Sequence, residues 1–221
     1  MQKCKPIFIT ATDTNVGKTI ATCVLGVLLK KQGLSVGVMK PVQCAGDDAE
    51  FLKMALELKD DLSIINPIFA PEPLSPHLAL RRARIKFDLK KVKESLEELS
   101  RRHDVLLIEG AGGLMVPLTE KYYNADLIRD LGAEVIIVAR LGLGTINHTL
   151  LTINQARAYG LKIKGIIFSE ASSKARSLSE QSNPGEIEML SKVKVLGIIP
   201  YLKPITTKNI LRRCEKIKLP I

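Results

Sequence analysis

The sequence predicts a doubly wound α/β domain, with a mainly parallel sheet flanked by helices. Three observations carry that prediction. Short β-branched apolar runs alternate with longer segments of helical period along most of the chain. The runs lack polar alternation, the pattern of strands buried on both faces. Gly17-Lys18-Thr19 stands where the first run gives way to the first helical segment, and such a turn opening a helix is a ready phosphate cradle.

The runs that read as strands are Pro6–Ala11, Ser35–Met39, Val105–Glu109, Val135–Ala139, Ile163–Phe168 and Val195–Ile199. Between them, Lys18–Lys31 and Thr145–Tyr159 read as buried helices. Asp88–Arg102 is amphipathic, because Leu89, Val92, Leu96 and Leu99 recur on one face and Asp88 is placed to cap the first free N–H groups. Asn183-Pro184 combines a capping residue with a proline at the first helical position and predicts a further helix start. Asn66–Pro76 carries Pro67, Pro71, Pro73 and Pro76, which is too proline-rich for a helix or a central strand and predicts an ordered loop. No repeat, low-complexity tract or linker interrupts the alternation, so residues 1–221 are expected to form a single domain.

Composition excludes several classes. With 46% hydrophobic and 25% charged residues the chain is neither collagen-like, disordered nor a disulfide scaffold. Its net charge of +10 admits a polyanionic partner. However, the sequence has no recognisable nucleic-acid reader motif, and 4% aromatics leave few stacking platforms, so no nucleic-acid partner is expected. Cys4, Cys23, Cys44 and Cys214 form no CxxC pair and no Cys/His cluster, which suits reduced thiols in the cytoplasm. The start Met1-Gln-Lys-Cys-Lys-Pro6 precedes too short an apolar run for a signal-peptide core. No segment reaches the roughly 18 apolar residues of a membrane span, so a cytoplasmic protein without membrane contact is expected.

Ligands of doubly wound sheets sit at the carboxyl ends of the strands, and the informative residues follow the strands. After the first, backbone N–H groups would cradle phosphates, Lys18 would reach the β- and γ-phosphates and the Thr19 hydroxyl would take Mg²⁺. The loop departs from the GxxxxGK[ST] pattern in having Thr12 at the first glycine position. Magnesium takes oxygen ligands, and Glu109, leading into Gly110-Ala-Gly-Gly113, and the pair Asp47-Asp48 after the second strand offer carboxylates. Lys40, fixed by Pro41 at a strand end, supplies a second cation for developing phosphoryl charge. Two lysines and a metal around one phosphate suggest phosphoryl transfer.

These residues belong to a longer series: Thr12-Asp-Thr-Asn-Val-Gly-Lys-Thr19, Lys40-Pro-Val42, Glu72-Pro-Leu-Ser-Pro-His77, Glu109-Gly-Ala-Gly-Gly113, Gly144-Thr-Ile-Asn-His148 and Ile199-Pro-Tyr-Leu202. In this order, across about the whole chain, the series resembles the dethiobiotin synthetase family. The resemblance implies a P-loop NTPase fold and a cyclo-ligase of biotin biosynthesis. Such an enzyme uses ATP and Mg²⁺ to close 7,8-diaminopelargonate and CO₂ into dethiobiotin, releasing ADP and phosphate. It further implies a homodimer with substrate at the interface. Carried over residue by residue, Lys40, Lys18 and Thr14 would be catalytic. Asn15, Val16, Gly17, Lys18, Thr19, Ile20, Glu109, Gly112, Ser169 and Pro200 would bind ATP. Thr14, Lys40, Cys44 and Ser75 would face the substrate, and Gly144, Thr145 and Asn147 would hold its distal carboxylate from the second subunit. Thr19, Asp48 and Glu109 would be the metal ligands.

The implied chemistry passes through a carbamate and a carbamic-phosphoric anhydride and needs no Ser or His nucleophile. Accordingly, His77, His103 and His148 are expected to be structural, with no triad-like arrangement among them. The chain departs from the family in having Ala11 for a glycine, Asn15 where an acid is common, and Cys44 for a serine. Where the family reads adenine with an asparagine, it has Ser169-Glu170, which implies relaxed nucleobase selection. A regulatory or partitioning-type P-loop ATPase is the alternative reading, but such proteins typically carry a second lysine inside the loop, where Thr12–Val16 has no basic residue. A ligase related to cobyrinate amidation would need a glutamine-hydrolysing domain, for which 221 residues leave no room.

Overall fold

The computed structural model describes residues 4–219; residues 1–3 of the stretch read for a signal core, and residues 220–221, lie outside the described part. The chain runs β1 (Lys5–Ala11), α1 (Lys18–Lys31), β2 (Val36–Met39), β3 (Val42–Cys44), α2 (Asp48–Ala55), α3 (Leu62–Ile65), β4 (Ile68–Ala70), α4 (Pro76–Arg82) and α5 (Leu89–Arg102). It continues with β5 (Val105–Gly113), β6 (Pro117–Thr119), β7 (Tyr122–Tyr123), α6 (Asn124–Asp130), β8 (Glu134–Arg140), α7 (Thr145–Ala158), β9 (Ile163–Ser169), α8 (Leu178–Ser191), β10 (Val195–Ile199) and α9 (Thr207–Arg213).

The six apolar runs form one parallel sheet in the order β10-β9-β8-β1-β5-β2. Both faces are apolar because both are covered. On one face Ile7, Ile9, Leu25, Leu29 and Leu52 pack together; on the other Phe8, Val92, Leu99, Leu106, Ile108 and Phe168 do so. Helix α1 is buried without a break from Ala21 to Leu29. Asp88 caps α5 as its sequence predicts, its Oδ1 accepting from the N–H groups of Lys90 and Lys91 at 2.9 and 3.2 Å. Among the described residues, no helix is long and apolar enough to cross a membrane.

The sheet register positions the site. β1 lies between β8 and β5, with Ile9 opposite both Ile136 and Glu109, and Met39 of β2 opposite Ile108. β1 leads through α1 to β2 on one side, and the chain later crosses from β5 to β8 on the other, so the strand order reverses at β1 and leaves a crevice at its carboxyl end. The loop after β1, the Lys40 segment and the Glu109 glycines all open into it.

Three expectations are corrected. Asn66–Pro76 is not only loop: Ile68–Ala70 pairs in parallel with Val42–Cys44, and Pro76 starts α4 at N1. Proline is compatible with both places, since the pair lies outside the central sheet and the first turn of a helix needs no N–H from its first residue. The helix expected to start at Asn183-Pro184 starts earlier, at Leu178. Ser177 and Glu180 form a reciprocal capping box there, leaving Pro184 inside the helix. Asn183 is instead buried and donates from Nδ2 to the carbonyl of Leu141 at 2.7 Å, tying α8 to the end of β8.

The third correction concerns the histidines, because His103 does sit in a triad-like chain. Its Nδ1 is 2.9 Å from Ser35 Oγ and its Nε2 2.8 Å from Asp60 Oδ2, while Arg102 donates to the other Asp60 oxygen at 3.2 Å. Ser35 precedes β2, at the sheet end away from the phosphate loop, so this chain pins the start of β2 to the end of α5 and the segment before α3. The structural reading of His103 stands. Gly37 makes room for the ring, since a Cβ there would lie 2.4 Å from His103 Cδ2. With the ring held at both nitrogens, Gly37→Ala should lower stability by about 1–3 kcal/mol in urea unfolding; an unchanged midpoint would mean that the ring is free to move aside.

Candidate active site

The loop between β1 and α1 is shaped by two left-handed residues, Asn15 at φ 57° and Gly17 at φ 98°. Asparagine tolerates that region better than most residues with a Cβ, which gives a backbone reason for Asn15. Gly17 has a second constraint: a Cβ on it would sit 2.7 Å from Ser169 Oγ. The loop therefore closes against the end of β9 and leads into the N-terminus of α1, where free N–H groups and the helix dipole favour anions. Sequence reasoning missed Arg140 at the end of β8, which donates from Nη2 to Asp13 Oδ2 at 2.8 Å and so brings a cation alongside a loop that has none between Thr12 and Val16.

Lys40 follows β2, and its main chain is held on both sides. Its N–H donates to the carbonyl of Ile65 at 2.7 Å, and its own carbonyl accepts from Asn66 Nδ2 at 2.7 Å. Its Nζ lies 2.6 Å from Asp48 Oδ2 and 2.5 Å from Glu109 Oε1. Both Lys40 and Glu109 are buried, at 4% and 0% exposure. Asp48 is placed at the start of α2 by Gln43, a residue the sequence reading passed over. The buried Gln43 amide accepts from the Ala49 N–H at 2.9 Å and donates to the Gly46 carbonyl at 2.9 Å, performing the tie that the Asp47 side chain does not make. Thr19 Oγ1 lies within 3.1 Å of Asp48 and 3.0 Å of Glu109.

The electrostatics follow from this cluster. Burial works against the Lys40 charge, but Glu109 and Asp48 outweigh it and hold the ammonium above its ordinary value. Asp48 is likewise penalised by burial but held below the ordinary carboxylate range by Lys40 and the Thr19 hydroxyl. Burial pushes Lys18 below the ordinary lysine value, with Glu109 opposing and Lys40 adding to the effect. Burial raises the Cys44 thiol. Two cations and two carboxylates leave the pocket formally neutral.

Two cavities flank the loop. One of about 800 Å³ is lined by Thr14, Asn15, Gly17, Lys18, Thr19, Ile20, Lys40, Cys44, Asp48, Ser75, Glu109 and Gly112. The other, of about 580 Å³, is lined by Val16, Ser169 and Pro200 together with Arg140, Glu170 and Tyr201, and it shares Thr14, Asn15, Gly17 and Ile20 with the first. Thus every sequence-predicted site residue except Asp47, Gly144, Thr145 and Asn147 lines one or both. The last three lie at the start of α7, where the Thr145 hydroxyl is buried against Thr149 and Asn147 is exposed. Glu170 is already occupied, accepting from Arg176 Nε at 2.5 Å and from the Tyr201 N–H at 3.0 Å.

Among the described residues no three His, Cys, Asp or Glu side chains gather as a metal cluster. Magnesium needs fewer protein ligands than that, because it usually keeps several waters. The Thr19 hydroxyl and the Asp48 and Glu109 carboxylates form an all-oxygen set, and Glu109 Oε2 is buried without a hydrogen-bond partner. These residues fit the ion.

Residues 5–209 match the family model of an AAA domain. Among curated proteins, the chain is 36% identical to the ATP-dependent dethiobiotin synthetase BioD of Nitrosopumilus maritimus, over 96% of each. It is 39% identical to that of Methanocaldococcus jannaschii, over 87% of this chain and 92% of the relative. It is 40% identical to that of Bacillus licheniformis, over 90% and 87%. Among solved structures, the cell division ATPase MinD of Pyrococcus furiosus shares the fold at TM-score 0.62 and 20% identity, covering 98% of both chains. A putative plasmid partition protein of Borrelia burgdorferi does so at 0.59 and 18%, covering 97% and 98%.

The Lys40 cluster carries a stability prediction. Lys40→Met leaves Glu109 buried without its cation, which should cost about 3–5 kcal/mol at neutral pH in urea unfolding. The lowered Asp48 value gives stability that is present above the ordinary carboxylate range and lost as pH falls. The gap between the two proteins should therefore narrow as pH falls through the ordinary carboxylate range toward the depressed Asp48 value. Equal stability at pH 7 would contradict the assignment.

Proposed function

The chain belongs to the ATP-dependent dethiobiotin synthetase family, and from that premise we infer how its residues divide the joining of CO₂ to 7,8-diaminopelargonate. The observation that carries the reading is the convergence of Lys18, Lys40, Thr19, Asp48 and Glu109 on one cavity at the carboxyl ends of β1, β2 and β5. In this reading residues 1–221 act as one catalytic domain in the cytoplasm.

The triphosphate lies along the loop, with Asn15–Ile20 contributing N–H groups and Lys18 its ammonium. Gly112 and Glu109 border the same phosphates. The nucleoside occupies the second cavity, against Ser169 and Pro200. Thr19, Asp48 and Glu109 would hold Mg²⁺, which when bound neutralises phosphate charge. Thr14 and Lys40 face the carbamate that forms when one substrate amine adds CO₂, alongside Cys44 and Ser75. A carbamate oxygen attacks the γ-phosphorus, the bond to the β–γ bridging oxygen breaks and ADP leaves; the second amine then attacks the carbamoyl carbon, the C–O bond breaks and phosphate leaves. Each step develops negative charge, and fixed cations stabilise it without reorganisation. The carboxylates beside Lys40 keep it a cation rather than a nucleophile.

Gly144, Thr145 and Asn147 are assigned to the distal carboxylate of substrate bound by a second copy of the chain. Their position outside both cavities supports this, as do the exposed Leu143 and Leu151 flanking them, at 86% and 60%. The turn Gly144–Asn147 opens a 14-residue helix, a favourable place for an anion. Nucleobase selection is relaxed, because the Glu170 carboxylate is spent on Arg176 and Tyr201 instead of reading a base edge.

Purified protein given diaminopelargonate, labelled bicarbonate, Mg²⁺ and nucleotide should yield labelled dethiobiotin. Lys18→Ala and Glu109→Ala should each lower turnover by about 10²-fold or more in folded protein. GTP and CTP should support turnover within about tenfold of ATP, as the engagement of Glu170 with Arg176 and Tyr201 allows. No labelled product with any of the three nucleotides would refute the reading, near-normal turnover of either variant would remove that residue, and a strong ATP preference would sink the nucleobase assignment.

A further inference from the structure

Ser75 opens α4 but does not cap it with its side chain. Its Oγ lies 2.7 Å from Nδ1 of His77 instead. The two residues face different spaces. Ser75 lines the 800 Å³ cavity with Lys40 and Cys44, whereas His77 lines a separate surface groove of about 180 Å³ with Arg81, Phe87, Leu118 and Glu120. Ser75 is exposed and His77 half-buried, so the pair leads from the rim of the reaction space to the outer surface.

The reaction releases protons that must leave the site. An aliphatic amine is an ammonium at neutral pH, as lysine is, and an amine must shed a proton both to add CO₂ and to close the ring. The titratable side chains lining the cavity, among the described residues, are poor takers. Lys18 and Lys40 are cations in role, Cys44 holds its proton more tightly than usual, and Asp48 and Glu109 are bound to Lys40 and Thr19. Ser75 is the hydroxyl there that is joined to an imidazole.

We propose that Ser75 and His77 form a proton relay that carries the substrate's amine protons from the active cavity to solvent. It rests on the dethiobiotin-forming reading above. As the substrate N–H⁺ gives its proton to Ser75 Oγ, the Ser75 proton passes to His77 Nδ1. The resulting imidazolium releases its Nε2 proton to water in the groove, and exchange with water restores the starting tautomer. One proton moves per amine, with no change in electron count. Arg81 from α4 and Glu120 from the β6–β7 turn are the charged groups facing His77 in that groove, and their opposite signs leave its surroundings formally balanced. His77 acts through Ser75 and has no contact of its own with the substrate.

The test uses the full-length protein in the labelled-bicarbonate assay. His77→Gln keeps an acceptor beside Ser75 but cannot titrate. It should lower kcat about tenfold or more with the diamine KM within about twofold, and it should alter the shape of the kcat–pH profile. In His77→Ala, added imidazole should restore part of kcat; in Ser75→Ala, where the link is cut upstream, it should not. If His77→Gln fails to fold by circular dichroism, the Ser75→Ala and His77→Ala comparison decides alone. Unchanged kcat, or a lowered kcat with an unmoved pH profile and no imidazole rescue, overturns the relay. If the wild type itself makes no labelled dethiobiotin, the functional reading fails and the relay falls with it; loss confined to the variants bears on the relay alone.

Discussion

The Lys40 ammonium between Asp48 and Glu109 is the interaction on which the arrangement of the site depends. Three charged groups at a buried strand end are costly to desolvate unless each finds its partner, and the fold supplies the partners from three elements. The parallel register places Glu109 beside Ile9 and Met39 beside Ile108, so Lys40 emerges next to Glu109. The Gln43 amide fixes the turn into α2 and thereby Asp48. The first turn of α1 adds Thr19 to the same oxygen set. Stability and chemistry therefore draw on one network. The carboxylates that hold Lys40 charged are also those suited to a hard divalent cation, and the cavity stays neutral until a polyanion enters.

Most of the sheet was legible because its signal is strong and local. Six β-branched runs with no polar alternation gave six strands, each within a few residues of the observed ends, and the first helix matched in full. The phosphate site was legible for the same reason, since Gly17-Lys18-Thr19 draws its meaning from the strand before it and the helix after it. Its carboxylates were legible as strand-end and helix-start acids, although their common contact with Lys40 depends on the register of strands far apart in sequence.

What escaped the sequence was non-local or masked by a competing local signal. The prolines of Asn66–Pro76 argue against regular structure, yet Ile68–Ala70 finds a partner in Val42–Cys44 beyond the central sheet, where proline does little harm. Asn183-Pro184 looks like a helix start, but Ser177 and Glu180 satisfy the true one with two reciprocal bonds. The Ser35–His103–Asp60 chain joins residues up to 68 positions apart and has no spacing to betray it. Gln43 gave no motif at all. The charge excess sharpened rather than dissolved: Lys18, Lys40 and Arg140 have defined tasks beside the loop, whereas much of the remainder lies on exposed faces such as that of α5.

The central claim is that these strand ends transfer the γ-phosphate to a carbamate oxygen. Isotope transfer tests it most directly. With ¹⁸O-labelled bicarbonate, ATP and diaminopelargonate, the account predicts that the inorganic phosphate released with each dethiobiotin carries one oxygen from the bicarbonate, because the C–O bond breaks on ring closure. Phosphate free of that label, formed alongside dethiobiotin, would contradict it.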